Sequence, residues 1–349
     1  MSRGNAINKE QDACPDGIFC RYLGRNQSQP GAGAERLTMN NRLTRRQILR
    51  LMGATLAAVS LPSGQLFAAA DPLLEKPVPG AGHKLPVIGM GTWRTFNVGN
   101  DPQLLEARTE VVREFFRLGG GLVDSSPMYG SAPDVMGYAL EKLGIPESLF
   151  AAEKVWSPAG GSAREQVESL EQRWGVNRFD LVQVHNLTDW RTHLAALQEM
   201  KAEGRVGYVG ITTSHGRRHG EFEQIMGSED IDFVQLTYNI THREAENRLL
   251  PLAKERGIAV IANRPYDGGR LIKGLQRRGE KLPRWAEEEC GCNTWADFLL
   301  KFIVSHPAVN CAIPATTRVE HMKENMLAGR GEMPSAASRK RMAAFIESL

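Results

Sequence analysis

From residue 84 onward, short apolar runs rich in Val, Ile and Leu alternate with longer amphipathic segments, and this alternation points the chain to a parallel-sheet architecture. The spacing predicts strands at 86–93, 122–126, 149–155, 180–185, 207–212, 233–238, 259–263 and 309–314. Helical patterns fill the intervals at 102–118, 131–143, 164–174, 191–203, 218–226, 243–256, 294–304 and 318–327, and Gly119-Gly120-Gly121 stops the first of them. Eight strand and helix units over roughly 260 residues match a (β/α)8 barrel in count and size. Residues 265–293 are too many for an ordinary βα connection and read as a lid or binding loop. Residues 334–349 suit one more helix packed outside or beneath the barrel.

Composition does not choose the fold. The chain's 349 residues are 42% hydrophobic and 24% charged, values that permit one large domain or two small ones. A net charge of +3 invites an acidic partner, but residues 1–70 carry nine of the 43 Lys and Arg and only four of the 40 Asp and Glu. The body is left slightly acidic and without a dense basic run, which argues against nucleic acid as a partner. Five cysteines, two of them ahead of residue 70, make no disulfide framework. Cys290 and Cys292 lack the second pair that structural zinc requires, and with Cys311 they read as free thiols.

Ahead of the alternating region, Thr44-Arg45-Arg46-Gln47-Ile48-Leu49-Arg50 precedes an uncharged run over 51–61 and then Ala68-Ala69-Ala70 before Asp71-Pro72. A charged start, a modest apolar stretch and a small-residue cleavage site make a removable leader, and the apolar run is too short for a stable membrane anchor. The paired arginines resemble a twin-arginine export signal, which implies the twin-arginine export machinery as a partner and a periplasmic or otherwise exported product cut near Ala70. Residues 1–38 show no periodicity and read as disordered, or as sequence ahead of a true start at Met39. The expected organisation is therefore an extension at 1–38, a signal peptide at 39–70 and one barrel at 71–349.

Active sites of such barrels lie at the carboxyl ends of the strands, so polar residues closing apolar runs are the ones to examine. Leu122-Val123-Asp124 runs into Ser125-Ser126-Pro127-Met128-Tyr129-Gly130; Ala152-Glu153-Lys154 and Val182-Gln183-Val184-His185 close the next two runs. Asp124, Lys154 and His185 are 30 and 31 residues apart, one βα unit each, so the barrel brings them to one mouth. Taken singly, each is more often a rim or packing residue; the joint spacing binds them into a site. Together with Tyr129 they suit proton donation to a carbonyl undergoing reduction. A nearby Lys154 ammonium should lower the tyrosine's pKa, Asp124 should hold the ammonium, and His185 should orient the carbonyl oxygen. Hydride must come from a cofactor. No His-x-His or carboxylate cluster marks a metal site, so none is expected. Trp93, Met128, Trp156 and Asn186 adjoin the strand ends and are the candidate substrate-pocket residues.

Residues 124–130 resemble the Asp-x-x-x-x-Tyr-Gly motif of the aldo-keto reductase family, Glu153-Lys154-Val155-Trp156 its lysine strand and Val184-His185 its histidine strand. The resemblance runs from Gly89-Met90-Gly91-Thr92-Trp93 to Asn325. It implies a catalytic tetrad of Asp124, Tyr129, Lys154 and His185 with Tyr129 as general acid, working on an aldehyde or ketone with NADPH and less readily with NADH. There is no Gly-x-Gly-x-x-Gly opening a helix after the first strand, so the nucleotide is not held in a Rossmann manner. The resemblance places Thr92, Thr212, Thr213, Gln235 and Arg264 near the nicotinamide end. It places Thr316, Arg318, Glu324 and Asn325 at the adenosine phosphate, where a helix N-terminus favours anions. Many relatives stack an aromatic residue on the nicotinamide within Tyr-Ser-Pro-Leu-Gly; here the stretch reads Asn263-Arg264-Pro265-Tyr266-Asp267. That departure keeps an alternative open, a nucleotide-sensing or partner-binding barrel with little turnover.

Overall fold

A computed structural model describes residues 71–157 and 161–349. The extension at 1–38, the signal peptide at 39–70 and the cut near Ala70 lie outside the described residues. The described chain opens with an antiparallel hairpin, β1 (Glu75–Pro77) against β2 (Lys84–Pro86). Eight parallel strands follow in strict sequence order: β3 (Met90–Gly91), β4 (Leu122–Asp124), β5 (Phe150–Val155), β6 (Phe179–Val184), β7 (Val206–Thr212), β8 (Phe233–Thr237), β9 (Ala259–Asn263) and β10 (Cys311–Ala312). Closure comes from hydrogen bonds of Gly89 N to Ala312 O (2.9 Å), Ala312 N to Val87 O (2.9 Å) and Gly91 N to Pro314 O (3.1 Å). A Cβ on Gly91 would lie 2.8 Å from the Ile313 carbonyl oxygen, so a glycine is what lets the first strand approach the last. The architecture is the expected (β/α)8 barrel.

Helices α1 (Pro102–Arg117), α2 (Ala132–Leu143), α3 (Ala163–Trp174), α4 (Trp190–Ala202), α5 (His219–Ser228) and α6 (Leu249–Arg256) follow β3 to β8 in turn. Two helices, α7 (Arg270–Arg277) and α8 (Arg284–Cys290), occupy the stretch expected to be a loop, ahead of α9 (Trp295–Val304). Then come α10 (Val319–Leu327) after β10 and the tail helix α11 (Ala336–Glu347), as the tail pattern suggests. Local signals set several boundaries. Asp101 accepts from Gln103 N and Leu104 N ahead of Pro102, Ser162 caps α3, Gly175 ends it in the left-handed region, and Thr294 with Asp297 forms a capping box on α9.

Period-two alternation along the strands decides the rest. One set, including Leu122, Phe150, Ala152, Leu181, Phe233, Ala259, Ile261 and Cys311, packs with hairpin residues Val78 and Leu85 to plug the barrel interior. The other, including Val123, Ala151, Val182, Val184, Val209, Ile211, Val234, Leu236 and Val260, joins the larger core with the surrounding helices. Continuing the inward set two residues at a time from Leu122, Ala152, Leu181, Phe233 and Ile261 reaches Asp124, Lys154, Gln183 then His185, Gln235 and Asn263. The fold therefore aims this row into the carboxyl-end mouth. Cys290, Cys292 and Cys311 are buried free thiols. Among the described residues no helix is long and apolar enough to cross a membrane.

Candidate active site

Lys154, fully buried, donates from Nζ to Asp124 Oδ1 and to the Ser125 carbonyl, both at 2.6 Å. Asp124 Oδ1 also accepts from Gln235 Nε2 at 2.7 Å. An ion pair this deep is tolerable only because its hydrogen-bonding capacity is met on several sides. Tyr129 stands on a short 3-10 turn (Pro127–Tyr129) directly after β4, and the Lys154 ammonium lies 5.3 Å from its ring centroid. The His185 ring meets the tyrosine edge-on at 5.7 Å between centroids. Asp124, Tyr129 and His185 line one cavity of about 440 Å³, with the Lys154–Asp124 pair beside it.

The electrostatics differ from the expectation in one respect. Lys154 was expected to lower the Tyr129 pKa. Instead, burial raises it well above its ordinary value, and the Asp124 and Glu153 carboxylates raise it further. The Lys154 ammonium, bonded to Asp124 Oδ1 and the Ser125 carbonyl, does not offset the burial of the phenol. Tyr129 is thus a phenol that keeps its proton at neutral pH. Burial, reinforced by the Lys154 charge, lowers His185 to about 3, so its imidazole is neutral. Its Nδ1 lies 2.8 Å from Ser126 Oγ.

A strained turn follows the histidine. Asn186, Leu187 and Asp189 all have positive φ, a conformation that costs non-glycine residues about 1–3 kcal/mol each. Thr212 Oγ1 accepts from Asn186 N at 2.9 Å, and Arg218 Nη1 donates to the Asn186 and Leu187 carbonyls at 2.9 and 3.1 Å. These contacts hold the turn that directs Asn186 to the cavity wall.

Of the other expected residues, Thr92, Trp93, Met128, Thr212, Thr213, Gln235 and Arg264 also line this cavity. Thr92 bonds the Asp124 carbonyl at 3.0 Å and Ser125 Oγ at 2.9 Å. The Thr213 hydroxyl donates to the Arg217 carbonyl at 2.6 Å, which engages the proton expected to serve the cofactor. Trp156, expected in the substrate pocket, is not part of the lining; a pair of backbone hydrogen bonds ties it to Gln166 of α3. At the end of β9, Asn263 is held by Thr237 Oγ1 and Thr213 O rather than presenting a flat face. Arg264, at φ 53°, packs its guanidinium 5.5 Å from the Trp93 ring centroid and pairs with Asp267, which also binds Arg270. The Tyr266 hydroxyl reaches away to Asn325 Oδ1 at 2.6 Å, linking the cavity to α10.

Thr316, Arg318, Glu324 and Asn325 gather around the start and inner face of α10, outside the cavity lining. Arg318 occupies the N-cap without a side-chain capping bond, which leaves helix N–H groups available. Asn325 Nδ2 and Arg264 Nε are buried without partners, as side chains prepared for a ligand are. Sequence reasoning missed Ser126, Asp267, Arg94 and Lys273. Ser126 sat in view inside the tyrosine motif; Arg94 and Lys273 enter the lining through loop and helix geometry that carries no sequence signal. Among the described residues no group of three His, Cys, Asp or Glu is placed to hold a metal ion.

Comparison with known proteins places this geometry. The model of the Aldo/keto reductase family matches residues 87–336. The chain is 27% identical over 259 residues to the methylglyoxal reductase YeaE of Escherichia coli, covering 72% of this chain and 88% of that protein. To the NADH-specific methylglyoxal reductase of the same organism it is 28% identical over 224 residues, covering 54% and 66%. An aldo/keto reductase of Klebsiella pneumoniae, solved in complex with NADP and acetate, matches with a TM-score of 0.65 at 24% identity, covering 78% of this chain and 96% of that one. At that identity the structural match establishes the fold alone.

Proposed function

We infer, for a chain that belongs to the aldo/keto reductase family and is a nicotinamide-dependent oxidoreductase, that it reduces the carbonyl of a small aldehyde or ketone with NADPH at the barrel mouth. The observation that carries this reading is the buried Lys154–Asp124 pair set beside a protonated Tyr129 and a neutral His185 in one cavity. When bound, the reduced nicotinamide supplies hydride, which no side chain can. The remaining work falls to residues of this chain. Tyr129 passes its proton from Oη to the carbonyl oxygen as negative charge builds there, and His185 donates a hydrogen bond that orients the same oxygen. The Lys154 ammonium stabilises the phenolate left behind, and Asp124 fixes the ammonium. Trp93, Met128 and Asn186 wall the substrate side.

The residues present suit the nucleotide. Gln235, Thr212 and Thr92, which line the cavity together with Arg264, would hold the carboxamide end. The unpartnered Asn325 Nδ2 and the uncapped start of α10, with Thr316 and Glu324, suit adenosine, and exposed Arg318 suits a 2′-phosphate. The Klebsiella protein was solved with NADP and one E. coli relative is NADH-specific, so both nucleotides are tested, and the exposed Arg318 beside the uncapped helix start puts NADPH first. Titration of protein fluorescence with each nucleotide tests the assignment. NADPH should bind more tightly than NADH, and Arg318→Ala should weaken NADPH about tenfold while sparing NADH, one charge-assisted contact being worth roughly 1.5–3 kcal/mol before solvent screening. If neither nucleotide binds, the reductase reading falls. The names of the E. coli relatives make a small 2-oxoaldehyde the first substrate to try.

Asn263, standing where many relatives carry a stacking aromatic, favours a second reading in which the barrel senses nucleotide and acts through a partner. We also propose that 39–70 is a twin-arginine signal delivering the barrel to the periplasm. A mature N-terminus near Asp71 in a periplasmic fraction supports this, and an intact leader on cytoplasmic protein contradicts it.

A further inference from the structure

We propose that Ser126 is a positioning residue that fixes His185 in the tautomer carrying its proton on Nε2, the nitrogen that must donate to the carbonyl oxygen. The proposal rests on the carbonyl-reductase reading but names a residue outside its tetrad.

Ser126 is fully buried, and its Oγ has two contacts. It accepts from Met128 N at 3.2 Å and lies 2.8 Å from His185 Nδ1. A serine hydroxyl has one proton to give. The Met128 contact is a donor's, so it takes a lone pair and leaves the proton free; among the described residues the only acceptor bonded to Oγ is Nδ1. The hydroxyl therefore donates to Nδ1, and a neutral imidazole with Nδ1 as acceptor must hold its proton on Nε2. The opposite tautomer would set two donors, Met128 N–H and His185 Nδ1–H, on one oxygen and strand the serine proton in a buried site. The low His185 pKa supports this, since a doubly protonated ring would not need its tautomer chosen.

One residue thus serves both catalytic side chains. As N-cap of the 3-10 turn, Ser126 sets the turn that presents Tyr129, while the same oxygen orients His185. The proton count closes: Tyr129 gives a proton to the carbonyl oxygen, His185 lends a hydrogen bond and keeps its own, and Ser126 is unchanged.

The test uses the full chain. Nitrogen-15 NMR of labelled histidine in the wild-type protein should find His185 protonated on Nε2 with Nδ1 as acceptor; protonation on Nδ1 overturns the proposal. Ser126→Ala should lower kcat about tenfold with KM little changed and should mix the two tautomers, while Ser126→Thr should restore both. A Ser126→Ala protein with unchanged kcat and an unchanged histidine spectrum also overturns it. Should Ser126→Ala fail to fold, the wild-type spectrum and Ser126→Thr still decide. The spectrum needs no turnover, so an inactive wild-type protein with Nε2 protonated would defeat the reductase reading and leave the tautomer assignment standing.

Discussion

Tyr129→Phe is expected to lower carbonyl reduction by about 100-fold or more, the usual contribution of a positioned general acid, while NADPH affinity stays near that of the wild type. The substitution removes one oxygen from a half-buried ring whose position is set by the turn over Pro127–Tyr129 and by its edge contact with His185, so the fold should survive. Because the phenol keeps its proton at neutral pH, what is lost is a donor and not a base. The effect should fall on kcat, since the proton moves only as the oxygen gains charge. Steady-state rates with a small 2-oxoaldehyde and parallel nucleotide titration separate the two quantities. Retained turnover in the variant would place the proton donor elsewhere, and unaltered nucleotide binding without turnover in either protein would favour the sensing barrel.

Lys154→Met is expected to cost both activity and about 3–5 kcal/mol of stability, the range for breaking a buried ion pair from one side. Asp124 is only 2% exposed and would keep a single neutral donor, Gln235 Nε2, against its charge. The Ser125 carbonyl would lose its contact as well. Urea denaturation reads this as a lower midpoint at unchanged slope. Lys154→Met combined with Asp124→Leu should recover much of the stability and none of the activity, because the penalty comes from the stranded carboxylate. A single variant as stable as the wild type would mean that the pair is not the buried anchor described above.

Much of the fold was legible because its signals are periodic. Strands β4 to β9 fall within about a residue or two of the apolar runs that announce them, and the 30- and 31-residue steps from Asp124 to Lys154 to His185 translate into adjacent strands. The first run, 86–93, pairs unevenly: Met90–Gly91 forms the ladder with β4 and Val87 to Gly91 bond Ala312 and Pro314 to close the barrel, whereas Pro86 belongs to the hairpin that plugs the barrel base. Three-residue strands ending in proline give no alternation to detect. Helix α7 hides in the sequence because Arg270, Lys273 and Arg277 surround a narrow apolar face formed by Leu271, Ile272 and Leu275, and α8 because its seven residues make barely two turns.

The tetrad was visible for the same reason as the strands, its members being spaced by one structural unit. Its electrostatics were not. A lysine beside a tyrosine suggests a lowered phenol pKa, but burial of the phenol, which no residue spacing reveals, raises it, and the Asp124 and Glu153 carboxylates add to the rise. Trp156 illustrates the converse limit. It follows the lysine strand directly, yet it stays outside the cavity lining with its backbone N–H and carbonyl bonded to Gln166 of α3.

The most direct test of the account supplies the purified full chain with NADPH deuterated at the transferring position of C4 and a small 2-oxoaldehyde, and weighs the alcohol formed. The account requires one deuterium on the new carbinol carbon, formed at least about 100-fold more slowly with Tyr129→Phe. Unlabelled alcohol, or no alcohol from a protein that holds the nucleotide, would contradict it.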